Sequence, residues 1–277
     1  MSRVFISAVL GLFFIILSDP AVESQGSAKT QVETGLAVTD LGLWRDLQKG
    51  VASRTVTLER SQPNYTVELK LVRFNSELIT ARVLDSGEFQ LRSASAKTFA
   101  EKSQAIAAIN ANYFDERGRP LAYLKTRVKE VNRILSKHAL YTGIFGIGES
   151  GAFVTHRDEF APAQAQEALQ SGPLLLHRGL PLTVSADLGR YARRAVIGMD
   201  KNGAVIVAVA DAVLGGLGLG ELQKIFVDSR WHIDTVELLN LDGGGSAQLY
   251  LKSGKFEEWL PGTSEVPVAI GFFSKPK

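Results

Sequence analysis

The stretch from Asp234 to Leu251, DTVELLNLDGGGSAQLYL, is an apolar run that stops at a carboxylate and three consecutive glycines. Side chains of a strand alternate between two faces, so Asn240 and Asp242 are predicted to project from the same face at the end of the strand. Because glycine has no side chain and adopts positive φ readily, the N–H groups after Asp242 are predicted to line a concavity suited to an anion. A plain hairpin turn after Leu241-Asp242 is the alternative interpretation.

Composition indicates an ordinary globular protein. The chain has 277 residues, of which 45% are hydrophobic and 22% are charged, which is enough for one large core or two small ones. Its 31 basic and 29 acidic residues leave a formal charge of +2, so the sequence predicts no general binding to nucleic acid. Because the chain has no cysteine, disulfides, thiol nucleophiles and thiolate metal sites are excluded.

Residues 1–24 have the anatomy of a signal peptide. Arg3 supplies a positive n-region, and Val4 to Leu17 form an apolar segment that is short for a membrane span. Small residues before Gln25 predict cleavage there, and an uncleaved membrane anchor is the alternative. We therefore expect an exported protein, periplasmic or secreted, without stable membrane insertion after cleavage. Residues 25–35 are polar and predicted to form a disordered mature N-terminus.

Residues 36–277 are predicted to form one α+β domain, with a mixed, largely antiparallel β-sheet and packed helices. No repeat or internal linker interrupts this region. Alternating apolar residues predict a strand from Tyr65 to Leu71, paired with a second strand from Ile79 to Leu84. Ala195 to Met199 and Ala204 to Ala210 predict a hairpin closed by an Asn-Gly turn.

Three short helices are predicted as well. Thr98 and Glu101 fit a capping box, which predicts a helix that continues through Gln104. Ala163 to Gln170 is predicted to be a short polar helix. Apolar residues with helical spacing predict a third helix from Leu219 to Phe226.

Common catalytic motifs are missing from the chain. The glycine run after Asp242 lacks the Lys-Ser/Thr ending of a P-loop, and Gly215 to Gly220 lacks the dinucleotide spacing. The histidines are scattered and form no His-Glu-x-x-His helix, which disfavours zinc hydrolysis. Neither Gly148 to Gly151 nor Gly245-Ser246 has the spacing of a nucleophile elbow.

Arg190, Arg193 and Arg194 form the densest basic cluster of the chain, just before the hairpin predicted to end near Asp211. A guanidinium group binds phosphate well because its planar donors match the phosphate oxygens. Such a cluster on a surface is equally often a solvated face. The residues themselves leave both interpretations open.

Several blocks together resemble a known family. They are Asn110-Ala111-Asn112-Tyr113-Phe114, Ser171-Gly172-Pro173 with Gly179, Arg194 leading to Gly198, Asp211, and Asn240-Leu241-Asp242-Gly243-Gly244-Gly245-Ser246. Their order and approximate spacing are similar to those of the phosphodiester glycosidase family. This family includes the N-acetylglucosamine-1-phosphodiester α-N-acetylglucosaminidase domain and many exported bacterial proteins labelled exopolysaccharide-related. The resemblance spans roughly residues 40 to 274, and its last block is the most specific.

The resemblance implies a hydrolase that breaks the bond between a sugar anomeric carbon and phosphate, in a sugar-1-phosphodiester of a glycan or envelope polysaccharide. The catalytic residues would be Asp242 and Asp211, as nucleophile, base or electrostatic stabiliser, and Arg194, which would hold the phosphate. The substrate-binding residues would be Asn110, Asn112, Asn240, Gly243, Gly244, Gly245, Ser246, Ser171 and Gly172. No cofactor is required, although Asp211 and Asp242 suit calcium or magnesium.

Two other functions stay open at this point. One is a non-catalytic module that binds an anionic envelope polysaccharide, and the other is a metal-dependent phosphodiesterase that cleaves on the other side of phosphorus. The segment after Phe114 is more basic than the family pattern, and this bears on the substrate. Its basic residues are Arg117, Arg119, Lys125, Arg127 and Lys129.

Overall fold

Strands make up most of the regular structure in the computed structural model, which describes residues 35–184 and 191–276. In chain order they are β1 (Leu36–Asp40), β2 (Arg45–Gln48), β3 (Val51–Ser61), β4 (Asn64–Phe74), β5 (Ile79–Asp85), β6 (Ala107–Asn110), β7 (Leu124–Lys125), β8 (Glu130–Val131), β9 (Gly143–Gly148), β10 (Gly151–His156), β11 (Glu167–Ser171), β12 (Leu174–His177), β13 (Leu180–Pro181), β14 (Arg194–Asp200), β15 (Val205–Asp211), β16 (Thr235–Asn240), β17 (Leu249–Ser253), β18 (Phe256–Leu260) and β19 (Val268–Ser274). The α-helices of this part are α1 (Ala96–Ser103) and α2 (Leu219–Val227).

The balance of helix and strand differs from the α+β expectation. The described chain forms one domain that is predominantly β, and its paired strands are antiparallel, as was largely predicted. The predicted signal peptide, the predicted disordered segment up to residue 34 and Arg190 lie outside the described residues. Neither described helix has the length and apolar character needed to cross a bilayer.

The strands form three sheets. Sheet I has nine strands, in the order β1-β3-β4-β15-β14-β16-β12-β13, with β2 beside β3. Sheet II has the order β10-β9-β11-β7-β8, and sheet III has the order β18-β17-β6-β19-β5. Strands that are distant in sequence therefore lie side by side, as β6 and β19 do.

The main apolar core lies between the sheets. It contains buried side chains from all three, and the rings of Phe74 on β4 and Phe272 on β19 stack with centroids 4.0 Å apart. Helix α2 buries Leu222 and Phe226 against the other face of sheet I, and helix α1 buries Phe99 against sheet III. Each helix shields one apolar sheet face from water, which is the main source of its stability.

Several predicted elements are confirmed. The strands β14 and β15 form the expected hairpin, and the helix predicted from Leu219 to Phe226 is α2. The strand predicted from Tyr65 to Leu71 lies within β4, but it pairs with β3 and β15. The proposed partner at Ile79 to Leu84 is instead β5, which pairs with β19. Alternation predicts the existence of a strand but does not specify its partner.

Two helix predictions need correction. Helix α1 begins after Ser95, whose side chain accepts a hydrogen bond from the Thr98 N–H at 3.1 Å, so the N-cap lies three residues before Thr98. The segment from Ala163 to Gln170 is not a helix, because it forms a short turn and then the fully buried strand β11. Its Ala and Gln residues have high helix propensity, but the pairing of β11 with both β9 and β7 overrides that propensity.

A buried ion pair fastens α2 to sheet I. One guanidinium nitrogen of Arg60, on β3, donates to both Glu221 carboxylate oxygens at 2.6 and 2.5 Å. Arg60 also donates to the Tyr65 hydroxyl at 2.8 Å, and its guanidinium lies 3.9 Å from the Tyr191 ring centre. The Arg60 side chain is 0% exposed and that of Glu221 is 8% exposed, so water stabilises neither charge.

Candidate active site

Strand ends from all three sheets meet at one place. Asn110 ends β6 of sheet III, Ser171 ends β11 of sheet II, and Asn240 ends β16 of sheet I. The Asn110 amide donates to the Asp242 carbonyl oxygen at 2.7 Å, and the Ser171 hydroxyl donates to the Asn240 carbonyl oxygen at 2.9 Å. These side chains join the sheets and fix the backbone around Asp242.

Asp242 follows β16 and is half-buried. Its backbone N–H donates to the Ala111 carbonyl oxygen at 3.0 Å, and its carboxylate accepts a hydrogen bond from the Gly243 N–H at 2.9 Å. Burial raises the pKa of Asp242 above the ordinary aspartate value, and the Ser246 hydroxyl and the Gly243 N–H oppose that rise. The site therefore holds a carboxylate that is poorly solvated but retains some exposure.

The three glycines are required for different reasons. Gly243 has its Cα beside the Arg193 carbonyl oxygen, which would lie 2.9 Å from an added Cβ. Gly244 has a φ of 59°, which glycine adopts without strain. A Cβ on Gly245 would lie 2.6 Å from the Thr263 hydroxyl oxygen. The backbone path around the carboxylate thus depends on the absence of side chains.

The glycine N–H groups form less of an anion cradle than predicted. The Gly243 N–H is bound to the Asp242 carboxylate, and the Gly244 N–H donates to the Arg193 carbonyl oxygen at 2.8 Å. Within residues 35–184 and 191–276, only the Gly245 N–H of the three makes no hydrogen bond. A phosphate cradle at this loop therefore offers at most one ready backbone donor.

A tyrosine that the sequence analysis did not assign to the site lies at its centre. The Tyr113 hydroxyl donates to the Gly172 carbonyl oxygen at 3.0 Å and accepts a hydrogen bond from the Asn240 amide at 2.9 Å. Burial and the Asp242 carboxylate raise the pKa of Tyr113, whereas the Arg194 guanidinium lowers it. Tyr113 therefore stays neutral at physiological pH and lies within electrostatic reach of both charged groups. Its place in the Asn110 to Phe114 block was the available sequence signal.

Arg194 is the half-buried cation of the site. It begins β14, and its Nε donates to the Leu217 carbonyl oxygen at 2.9 Å. Burial lowers the pKa of Arg194 and the nearby Tyr113 raises it, but an arginine stays charged at neutral pH. Residues 193–195 run beside 241–244, since the Leu241 N–H donates to the Ala195 carbonyl oxygen at 2.9 Å.

The predicted catalytic residue Asp211 ends β15 and forms an ion pair with Arg193. Its carboxylate lies 2.9 Å from the Nε of Arg193, and its side chain is 41% exposed. Arg193 also donates to the Pro261 carbonyl oxygen at 2.9 Å, so Asp211 helps to orient Arg193 and the adjoining loop. Arg193 precedes β14 and Arg194 begins it, and these adjacent residues bind different groups: Arg193 contacts the Asp211 carboxylate and Arg194 contacts the Leu217 carbonyl oxygen.

The residues present do not form an evident calcium or magnesium site. Asp211 is engaged with Arg193, which leaves Asp242 as the carboxylate at the strand ends. In the described ranges, no three His, Asp or Glu side chains are grouped to hold an ion. A divalent ion prefers six or more oxygen ligands for calcium, or octahedral geometry for magnesium.

The predicted substrate-binding residues divide into two groups. Asn110, Ser171 and Gly172 direct their polar atoms at the protein itself, and the side-chain oxygen Oδ1 of Asn110 accepts a hydrogen bond from the Gln248 N–H at 3.1 Å. Asn112 and Asn240 each retain a buried side-chain oxygen without a hydrogen-bond partner among the described residues. These two oxygens lie beside the network around Tyr113, and the amide of Asn112 donates to the Tyr113 carbonyl oxygen at 3.3 Å.

The sequence profile of the phosphodiester glycosidase family matches residues 103–273. This chain belongs to the phosphodiester glycosidase family. The matched segment includes all strand ends that meet at Asp242, together with Tyr113 and Arg194. A search among functionally curated proteins finds no significant match.

Several solved structures share the fold of this chain. The catalytic domain of zebrafish N-acetylglucosamine-1-phosphodiester α-N-acetylglucosaminidase, auto-inhibited by its pro-peptide, aligns with a TM-score of 0.63 and 16% identity over 87% of this chain and 88% of that domain. A hypothetical protein from Synechocystis aligns with a TM-score of 0.61 and 16% identity over 84% and 64% of the two chains. A candidate exported protein from Burkholderia pseudomallei K96243 aligns with a TM-score of 0.52 and 10% identity over 76% and 74%.

Proposed function

We propose that this phosphodiester glycosidase family member hydrolyses the bond between the anomeric carbon and phosphate in a sugar-1-phosphodiester of a glycan or envelope polysaccharide. The observation that carries the proposal is that a half-buried carboxylate, Asp242, and a half-buried guanidinium, Arg194, both lie near Tyr113, with Arg194 also beside Gly243. The family match and the zebrafish structure support the same reaction class.

Arg194 is the proposed phosphate-binding residue. A guanidinium donates two parallel hydrogen bonds to phosphate oxygens, and partial burial strengthens this attraction. When the bond to the anomeric carbon breaks, its electron pair stays on the phosphate oxygen, so the leaving group gains negative charge. Arg194 therefore stabilises the transition state more than the bound substrate.

Asp242 is the proposed catalytic carboxylate. The positive charge that develops at the anomeric carbon is stabilised by a nearby carboxylate, either as a nucleophile or as the base that activates water. A phosphate monoester leaves more readily than a sugar alkoxide, so the site does not require a strong general acid. Tyr113 and Asn240 are positioning residues, since their mutual hydrogen bond fixes the polar wall beside the carboxylate.

We further propose that the protein is exported. The N-terminal residues carry the features of a signal peptide, and one structural neighbour is itself described as a candidate exported protein. An envelope glycan substrate would then be accessible to the enzyme. Expression with and without residues 1–24, followed by fractionation and N-terminal sequencing of the mature chain, tests this proposal.

Product identity tests the reaction itself. The protein is incubated with an N-acetylglucosamine-1-phosphodiester, and both products are identified by mass spectrometry. Free sugar and a phosphomonoester support the glycosidase reaction. Sugar-1-phosphate would instead identify a phosphodiesterase, and loss of that activity on chelation would indicate its metal dependence. Binding of a panel of such diesters without any turnover would support a binding module.

The pH dependence of kcat/KM is expected to follow the ionisation of the Asp242 carboxylate. The carboxylate acts in its ionised form, so kcat/KM falls as the pH drops through the pKa of Asp242. Because burial raises that pKa, the acidic limb lies above the value of about 3.9 for an ordinary aspartate. A profile from pH 3 to 9 checks this, and a limb at or below that ordinary value would contradict it.

Arg194→Lys is expected to reduce kcat/KM by about 10- to 100-fold, because lysine keeps the charge but loses the planar pair of donors. The substitution also removes the hydrogen bond from Nε to the Leu217 carbonyl oxygen. Inorganic phosphate and phosphomonoester inhibition constants, measured beside kcat and KM, locate the loss in anion binding. Unchanged inhibition constants would show that Arg194 does not hold the phosphate.

A further inference from the structure

Three of the five basic residues between Arg117 and Lys129 form ion pairs with carboxylates of the fold. Arg119 pairs with Asp115 at 2.7 Å, and Arg127 pairs with Glu167 at 2.8 Å. Lys129 pairs with Asp85 at 2.5 Å, and Lys125 donates to the Pro162 and Ala165 carbonyl oxygens at 3.2 and 2.8 Å. The high positive charge of this segment in the sequence is therefore largely structural.

A second group of cations remains without acidic partners. Residues 133–138, RILSKH, are here called the basic loop, and Arg133, Lys137 and His138 are all exposed. Across residues 35–184 and 191–276, neither Arg133 nor Lys137 forms an ion pair with a carboxylate. Their charge is therefore available to a ligand.

The basic loop borders the candidate active site. The ring of His138 lies 4.5 Å from that of Tyr141, and Tyr141 packs edge-on against Tyr113 with ring centres 5.6 Å apart. Burial and the Asp242 carboxylate both raise the pKa of Tyr141, which places its hydroxyl within electrostatic reach of Asp242. Two aromatic contacts thus link the loop to the centre of the site.

Two side chains, those of Gln170 on β11 and of Arg157 just after β10, hold the basic loop in place. The buried Gln170, which precedes Ser171, accepts the Leu135 N–H at 2.8 Å and donates to the Leu135 and Tyr141 carbonyl oxygens at 3.1 and 2.8 Å. Arg157 donates to the carbonyl oxygens of His138 and Tyr141. Hydrogen bonds from buried side chains of this kind hold a loop in one conformation, whereas a solvated surface cluster needs no such support.

We propose that the basic loop binds the group on the far side of the scissile phosphate and selects substrates in which that group carries a second negative charge. This inference rests on the proposed function, because it assigns the aglycone of the same reaction. Arg133 and Lys137 supply the positive charge, and the contact between the His138 and Tyr141 rings connects the loop to the site. The second charge is either a further phosphate or a carboxylate, as found in anionic polysaccharides.

Three sugar-1-phosphodiesters that share one sugar test the proposal. Their aglycones are a neutral hexose, a hexose phosphate and a hexuronic acid. We expect kcat/KM to be about 10-fold higher for one or both anionic aglycones, mainly through KM, and to lose this preference in 1 M salt. Equal kcat/KM for all three compounds would overturn the proposal.

Matched variants assign the effect to the loop. Arg133→Ala/Lys137→Ala is expected to bring the ratio of anionic to neutral kcat/KM close to one. Lys102→Ala/Lys255→Ala removes the same charge from two other exposed positions and should leave the ratio as in the wild type. A ratio that falls equally in both variants would indicate a general charge effect and overturn the assignment.

Failure of the proposed function is distinguishable from failure of this inference. If no diester is hydrolysed, calorimetric titration with the same three compounds still measures the preference, since binding does not require turnover. A higher affinity for anionic aglycones that disappears in Arg133→Ala/Lys137→Ala supports the basic loop. Equal affinities for all three compounds contradict it, whatever the activity.

Discussion

Asp242→Asn is expected to lower kcat/KM for a sugar-1-phosphodiester by about 1,000-fold, within the range for loss of a positioned catalytic group. The asparagine keeps the size of the side chain and its acceptor for the Gly243 N–H, but it has no negative charge for the anomeric carbon. Steady-state kinetics with purified variants measure the loss. A decrease of less than about 10-fold would exclude Asp242 as the catalytic carboxylate.

The same strand provides a control. Asp234 precedes β16 at its other end, has a φ of 58°, and pairs with Lys201 at 3.1 Å. Asparagine tolerates this left-handed conformation, so Asp234→Asn makes the same chemical change without backbone strain. Its kcat/KM is expected to stay within about two-fold of the wild type, as surface substitutions usually do.

Stability separates a catalytic role for Asp242 from a structural one. Burial raises its pKa, so the protonated form stabilises the fold fully below the unfolded-state pKa, and this contribution is lost as the pH rises through the folded-state pKa. At pH 7 the ionised carboxylate therefore destabilises the fold, and Asp242→Asn should raise the unfolding free energy by about 0.5–2 kcal/mol. Thermal unfolding of the wild type and Asp242→Asn at pH 3 and 7 checks this, and a Tm of Asp242→Asn below that of the wild type at pH 7 would indicate a structural carboxylate.

Arg60→Leu is expected to destabilise the fold by about 3–5 kcal/mol, because it leaves the buried Glu221 carboxylate without its cation. In a domain of this size the loss corresponds to a decrease in Tm of roughly 6–20 °C. The bond joins β3 to α2, so the whole apolar face under α2 depends on it. Urea and thermal unfolding measure the change.

Two further variants complete this test. Arg230→Leu removes a guanidinium that is 84% exposed from its pair with Asp228, and it should lower the stability far less than Arg60→Leu because water solvates both charges. Arg60→Leu/Glu221→Leu removes both buried charges and should recover much of the stability lost in the single variant. Equal losses for Arg60→Leu and Arg230→Leu would show that burial does not control the strength of these pairs.

The local sequence determined those strands, turns and helices that are specified by side chains close together in the chain. The alternation in β4, the Asn-Gly turn between β14 and β15, and the apolar spacing of α2 each follow from side chains a few positions apart. The block from Asn240 to Ser246 marked the strand end where the site forms, because a carboxylate and three glycines seldom follow an apolar strand without a specific backbone requirement. The ordered set of blocks identified the family.

Tertiary structure decided which of those residues meet. Ala163 to Gln170 has helical propensity, yet pairing with β9 makes it the strand that carries Gln170 and Ser171. Asp211 and Arg194 lie at the open end of the same hairpin, but Asp211 pairs with Arg193, whereas Arg194 lies near Tyr113 and Gly243. Strand pairing and side-chain direction depend on contacts between residues that are distant in sequence. The hydrogen bond from Asn110 to Asp242 joins residues more than a hundred positions apart, and a local sequence pattern cannot predict such a contact.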